Sequence, residues 1–107
     1  MIVLSIASAI YLVALQNAAA NNSRDQLMSC LDEAVTKGKT ASIAADAFVG
    51  FARGQCGAPA TSLKSALVAF DVKNKISRKQ AEADAESQID EFVTMTSERY
   101  AAQAKPR

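Results

Sequence analysis

Residues 77–105 read SRKQAEADAESQIDEFVTMTSERYAAQAK. Ala81, Ala85, Ile89, Phe92, Val93, Thr96 and Tyr100 recur there at three- and four-residue spacing, which gathers them on one stripe of an α-helix. Ser77 and Gln80 stand as a capping box, a hydroxyl placed to accept from an orphan amide three residues on. No glycine or proline follows until Pro106. The spacing predicts a helix of about 25 residues, roughly 37 Å long. In so small a domain such a rod either braces every other element or projects beyond them. Glu82, Asp84 and Glu86 near its start, with Arg99 and Lys105 near its end, suit the helix dipole.

Working back from this rod, the chain yields three more helical patterns. Half of the 107 residues are apolar and the net charge is +1, so the chain folds rather than staying disordered. Valine, isoleucine, threonine and aromatics are sparse and never alternate with polar residues over a strand length, which leaves helix as the repeating element. The first helix begins at Ser23, capped by Ser23 with Gln26, carries Leu27, Cys30, Leu31, Ala34 and Val35, and ends at Lys37-Gly38 with the glycine as left-handed terminator. The second starts at Thr40 or Ser42, bears Ile43, Ala44, Ala47, Phe48, Phe51 and Ala52, and stops at Gly54. The third opens after Pro59 with Thr61 or Ser62 as cap and buries Leu63, Ala66, Leu67 and Phe70. Short links among all four predict an all-α, antiparallel bundle of four helices: a disulfide-carrying hairpin, a short helix and the long C-terminal helix.

Residues 1–20 carry no charge. Met1 to Leu15 is apolar apart from Ser5 and Ser8, and Ala18-Ala19-Ala20 supplies the small residues that signal peptidase requires before Asn21. The apolar run is shorter than the roughly 20 residues of a membrane span, so 1–20 reads as a signal peptide and 21–107 as a single helical domain. The usual basic n-region is missing, and an uncleaved N-terminal anchor or a buried helix are the other readings. The expected location is therefore periplasmic or extracellular. Cys30 and Cys56, the only cysteines, both follow the segment, and without histidine they lack the partners of a zinc site. One disulfide is the natural pairing in an exported chain, with two buried thiols as the alternative. Its loop removes roughly 3–4 kcal/mol of unfolded-chain entropy.

The pairing constrains the hairpin. If two straight helices turn near Lys39, Cys30 faces residue 48 and Cys56 lies about 12 Å past the contact, whereas bonded cysteines need Cα atoms within about 7 Å. A later start for the second helix, a steep crossing, or a fold-back at Gly54-Gln55-Cys56-Gly57 resolves this. The flanking glycines favour the fold-back, with Cys56 in a turn.

The absence of histidine removes Ser-His-Asp, Cys-His and His-metal chemistry together. Glu82, Glu86 and Asp90 form an i, i+4 ladder that could offer oxygen ligands or an acid–base pair, but among Arg78, Lys79 and Gln88 they read as a solvated face. No metal and no cofactor is expected, and no catalytic residue is assigned. A cleft uniting Asp46 with Arg53 or Lys64 would be needed to revive an enzymatic reading. Lys73, Lys75, Arg78 and Lys79 crowd the link before the long helix as a candidate polyanion patch, although one Asp71 and no interleaved aromatics argue against nucleic acid. The second helix has Asp46 as its only charge from Ala41 to Ala52, so its apolar residues point in too many directions for one buried face. Phe48, Val49, Gly50 and Phe51 are thus a candidate interface with a protein partner or a second copy, and Gly50-x-x-x-Gly54 would admit a close helix. Asn21-Asn22-Ser23 matches a glycosylation sequon and is read as chance.

The order Cys30, Gly38, Ala44-Ala45-Asp46-Ala47-Phe48, Cys56 resembles that of small exported helical two-cysteine proteins of proteobacteria, mostly without assigned function, over residues 27–57. The chain is also similar to small periplasmic acid-stress chaperones, which are helical, exported and carry a single disulfide; it departs from them in having no histidine sensor and in setting its carboxylates among cations. Together these imply an exported, non-enzymatic protein acting through protein contact or self-association. A stress holdase and a membrane-tethered accessory subunit, touching the membrane only through the N-terminal segment, are the alternatives. The intact mass of the protein from its native host should begin at Asn21 and take up no thiol-alkylating reagent; a full-length mass with both cysteines labelled would overturn export and disulfide together.

Overall fold

The computed structural model describes residues 18–104. Four α-helices follow one another: α1 (Ala18–Thr40), α2 (Phe48–Gln55), α3 (Gly57–Lys73) and α4 (Arg78–Ala104), with a 3-10 turn at Ala45–Ala47 ahead of α2. Among the described residues there is no strand. The all-α class and the disulfide-carrying bundle are as the sequence predicts.

The long helix is α4. Its stripe is buried as the spacing requires, with Ala81, Ala85, Ile89, Val93, Thr96 and Tyr100 all in the core and Phe92 packed against it. The Ser77 Oγ accepts from the Gln80 amide at 3.2 Å, while the Gln80 side chain donates forward to Asp84 Oδ1 at 2.7 Å, so the capping box forms in one direction only. The first turn of α4 holds no acid and its last turn no base, and a dipole acts over a single turn, so the predicted charge match does not apply. Arg99 instead donates to Asp32 of α1 at 2.6 Å. As expected of a rod this long, α4 touches every other element.

Cross-links fix the directions. Arg24, Asp32 and Lys39 of α1 meet Gln88, Arg99 and Gln103 of α4 in that order, so these two helices run parallel. Phe48 lies beside Tyr100 and Arg53 beside Asp90, so α2 runs against α4. Lys64 meeting Glu86 about a link centred near Lys75 makes α3 antiparallel to α4 as well.

Four predicted boundaries move. Helix α1 is already formed at Ala18, the first described residue, so Ser23 lies inside it rather than capping it; Ala18-Ala19-Ala20 are good helix formers. Ala20, at the expected cleavage point, is a core residue; residues 1–17 of the expected signal peptide lie outside the described residues. Helix α1 also runs past Gly38 to Thr40. Its terminator is Ser42 (φ 57°): the Ile43 amide donates to Gly38 O at 2.9 Å and the Ser42 amide to Lys39 O at 3.2 Å, a Schellman closure. Gly38 is required for its size, since a Cβ there would sit 3.0 Å from Tyr100 Cε1. The Ile43 amide pairing and the bend it closes delay α2 until Phe48. Helix α3 begins at Gly57, two residues before Pro59, because a proline in the first turn sacrifices no hydrogen bond.

Helix α3 ends as α1 does, with Lys75 (φ 71°) in the left-handed position and the Ile76 and Lys75 amides donating to Asp71 O and Val72 O at 3.0 and 3.1 Å. A side chain in that backbone region costs roughly 1–2 kcal/mol. Ser42→Gly should therefore stabilise the protein by about 1 kcal/mol. Gly38→Ala, at a site with no room for a Cβ, should destabilise it by about 1–3 kcal/mol. Urea unfolding of the two variants should move the midpoint in opposite directions.

Candidate functional site

The disulfide builds the elbow around which a substantial cleft forms. Cys56 is a single non-helical residue between α2 and α3 (φ −112°, ψ 24°), and its bond to Cys30 of α1 spans 5.8 Å between Cα atoms. The late start of α2 is what brings Cys56 level with Cys30. The expected fold-back does not occur, since α2 and α3 both run against α4 and Cys56 is a one-residue break across which the Cys56 and Ala60 amides still donate to Ala52 O and Cys56 O. The flanking glycines play no conformational part, as neither Gly54 nor Gly57 has positive φ. Along one face that continues from α2 through Cys56 into α3, from Ala52 to Lys64, a gap is left against α1 and α4.

That gap is a cleft of about 340 Å³. Its floor is apolar: Leu27 of α1, Ala52 of α2 and Ile89 and Val93 of α4, all buried. Cys56, Gly57, Ala60 and Thr61 form one wall. Two ion pairs stand at its mouth, Arg53 with Asp90 and Lys64 with Glu86 at 3.2 Å. The volume is at the lower end of the roughly 300–1,000 Å³ of small-molecule sites. Thr61 and Lys64 also line a shallower hollow of about 230 Å³ that continues along α3 and α4 through Ser65, Val68, Arg78 and Glu82.

The arrangement redistributes the residues singled out above. Arg53 and Lys64 do share a cleft, but Asp46 is exposed in the 3-10 turn and takes no part. The carboxylate ladder is not simply a solvated face, because Glu86 and Asp90 each hold a cation of a neighbouring helix. Among the described residues no group of three metal-ligating side chains exists. Of the candidate interface, Phe48 is fully buried, stacked on Tyr100 at 4.1 Å between centroids, and Phe51 is half-buried behind it at 6.3 Å. Val49 (41% exposed) and Gly50 remain outward, with open space around Gly50 and Gly54. Lys73, Lys75, Arg78 and Lys79 are all exposed at the α3–α4 link. The cleft wall at Gly57, Ala60 and Thr61 has no signal in the sequence, since Thr61 looks like a helix cap until α3 is seen to begin a turn earlier.

Comparison with protein-family models, curated proteins and solved structures found no match to this chain. Among the described residues no helix is long and apolar enough to cross a membrane. Cutting the disulfide tests how far the site depends on it. A loop of 26 residues closed by one bond corresponds to about 3.5 kcal/mol. The Cys30→Ala, Cys56→Ala double variant should lose about that much stability, read as a lower urea midpoint that reductant no longer shifts.

Proposed function

We propose that this protein is an exported, non-enzymatic binding module whose cleft at the α2–α3 elbow receives an apolar side chain of a protein partner. The cleft itself carries the reading: a buried apolar floor, room for a side chain or two, and a polar mouth, the anatomy of an interface anchor pocket. The mouth presents charges of both signs already joined in pairs, which suits a partner bearing an apolar anchor among polar neighbours better than a strongly anionic or cationic ligand. A non-enzymatic role is supported by the same pairing, because Arg53 and Lys64 face carboxylates rather than a nucleophile and base. Export is supported by the Cys30–Cys56 bond, which persists in oxidising compartments, and by the uncharged segment ahead of α1. The outward Val49 and Gly50, in the first turn of α2, extend the surface a partner would cover.

Site-specific photo-crosslinking in the native host tests this. A crosslinker at Thr61 should trap one distinct protein, and the adduct should vanish when Ala60→Trp fills the cleft, while a crosslinker at exposed Glu98 should trap none. An adduct of twice the chain's own mass would assign the cleft to self-association instead. Equal labelling at Thr61 and Glu98, or an adduct that survives Ala60→Trp, would overturn the proposal.

A further inference from the structure

The α3–α4 link combines two features that a water-exposed turn ordinarily keeps apart. Lys73, Lys75, Arg78 and Lys79 are exposed, and none of the three ion pairs among the described residues involves them. Asp71 is the single acid from residue 71 to residue 79, so this short stretch carries four positive charges against one negative. Within the same turn, Val72 and Ile76 are each 37% exposed, two of the four large apolar side chains that the described surface leaves open. The Schellman closure at Lys75 holds this tip in one conformation, with the Ile76 amide bonded to Asp71 O. Apolar side chains ringed by cations match the bilayer interface, where the former enter the acyl boundary and the latter meet anionic headgroups. Nucleic acid and soluble polyanions would engage the cations and leave Val72 and Ile76 without a role.

The placement of the tip agrees. Helices α1 and α4 run parallel, with Arg24 level with Gln88 and Asp32 level with Arg99. Ala18 is therefore level with residues 82–85, about 6–10 Å from the start of α4 at 1.5 Å per residue. The chain thus enters α1 at the same end of the bundle as the basic tip, and the sequence leading into it is the apolar run Met1–Leu15.

We infer that the α3–α4 tip, through Lys73, Lys75, Arg78 and Lys79 with Val72 and Ile76, docks on the surface of an anionic lipid bilayer. Docking there stands the bundle on its end and leaves the elbow cleft on its flank, open to a partner at the membrane surface.

The test compares partition of the full chain onto vesicles of phosphatidylcholine alone and of phosphatidylcholine mixed with phosphatidylglycerol. Residues 1–20 carry no side-chain charge and are common to wild type and variants, so the change in the ratio of the two partition coefficients when the tip is altered isolates the tip. Each cation near an anionic surface is worth about a five-fold change in partition. The wild-type chain should favour the anionic vesicles at least ten-fold at low salt, and the preference should shrink as salt is added. Replacing the four cations by glutamine should bring the ratio to about one. V72S/I76S should lower partition onto anionic vesicles several-fold while circular dichroism shows the helices intact. Equal partition of the wild-type chain, or a preference that survives loss of the four cations, would overturn the inference. Heparin or duplex DNA bound as tightly as the anionic vesicles, with V72S/I76S without effect, would identify a soluble-polyanion site instead and equally overturn it.

Discussion

The hydroxyl of Tyr100 donates to the carbonyl of Ile43 at 2.5 Å, its ring lies on Phe48 at an interplanar angle of 17°, and its edge rests against the bare Cα of Gly38. Three segments far from Tyr100 in the chain meet at this one side chain: the end of α1, the connection that follows it, and the start of α2. The hydroxyl satisfies a carbonyl that leads into the 3-10 turn, and burial without that bond would cost on the order of 1–3 kcal/mol. The stacked rings add about 0.5–1.5 kcal/mol beyond the area they bury. Gly38 leaves the space that both occupy, since a Cβ there would stand 3.0 Å from Tyr100 Cε1 and 3.4 Å from Phe48 Cε1 and crowd the stacked rings.

The position of α2 follows from this contact, and the cleft follows from the position of α2. Phe48 held against Tyr100 sets where α2 begins; eight residues later the chain reaches Cys56, and Cys30 pulls that residue onto α1. Pinned at both ends, α2 passes into α3 through the single break at Cys56. Arg53 and Lys64 then line one gap from the same side, where Asp90 and Glu86 of α4 meet them. These exposed pairs contribute little stability. Their effect is on the mouth of the cleft, which becomes polar and close to neutral.

The two ends of the bundle differ in make-up. At the Tyr100 end, aromatic rings and a satisfied hydroxyl close the core. At the α3–α4 end the core is aliphatic, with Ala20, Leu67, Val68, Ala81 and Ala85, and the turn beyond it is basic, with two apolar side chains held outward. In the docking inferred above, this asymmetry orients the molecule on a surface and turns its flank toward another protein.

Much of this is legible in the chain alone. The stripe from Ala81 to Tyr100, the cap at Ser77, the all-α class and the pairing of Cys30 with Cys56 follow from periodicity, local hydrogen bonding and redox chemistry, which act over a few residues or need only a count. The basic tip is equally visible, because its cations lie close together in sequence. What a glycine is for, by contrast, depends on what approaches it: Gly38 and a terminating glycine look alike until Tyr100, 62 positions on, is seen against it. The start of α2, the burial of Phe48 and the union of Arg53 with Lys64 were decided in the same way, by contacts between residues that sequence places far apart. Local propensity determined which segments are helices; the packing of Tyr100 and the reach of one disulfide determined how those helices leave a cleft.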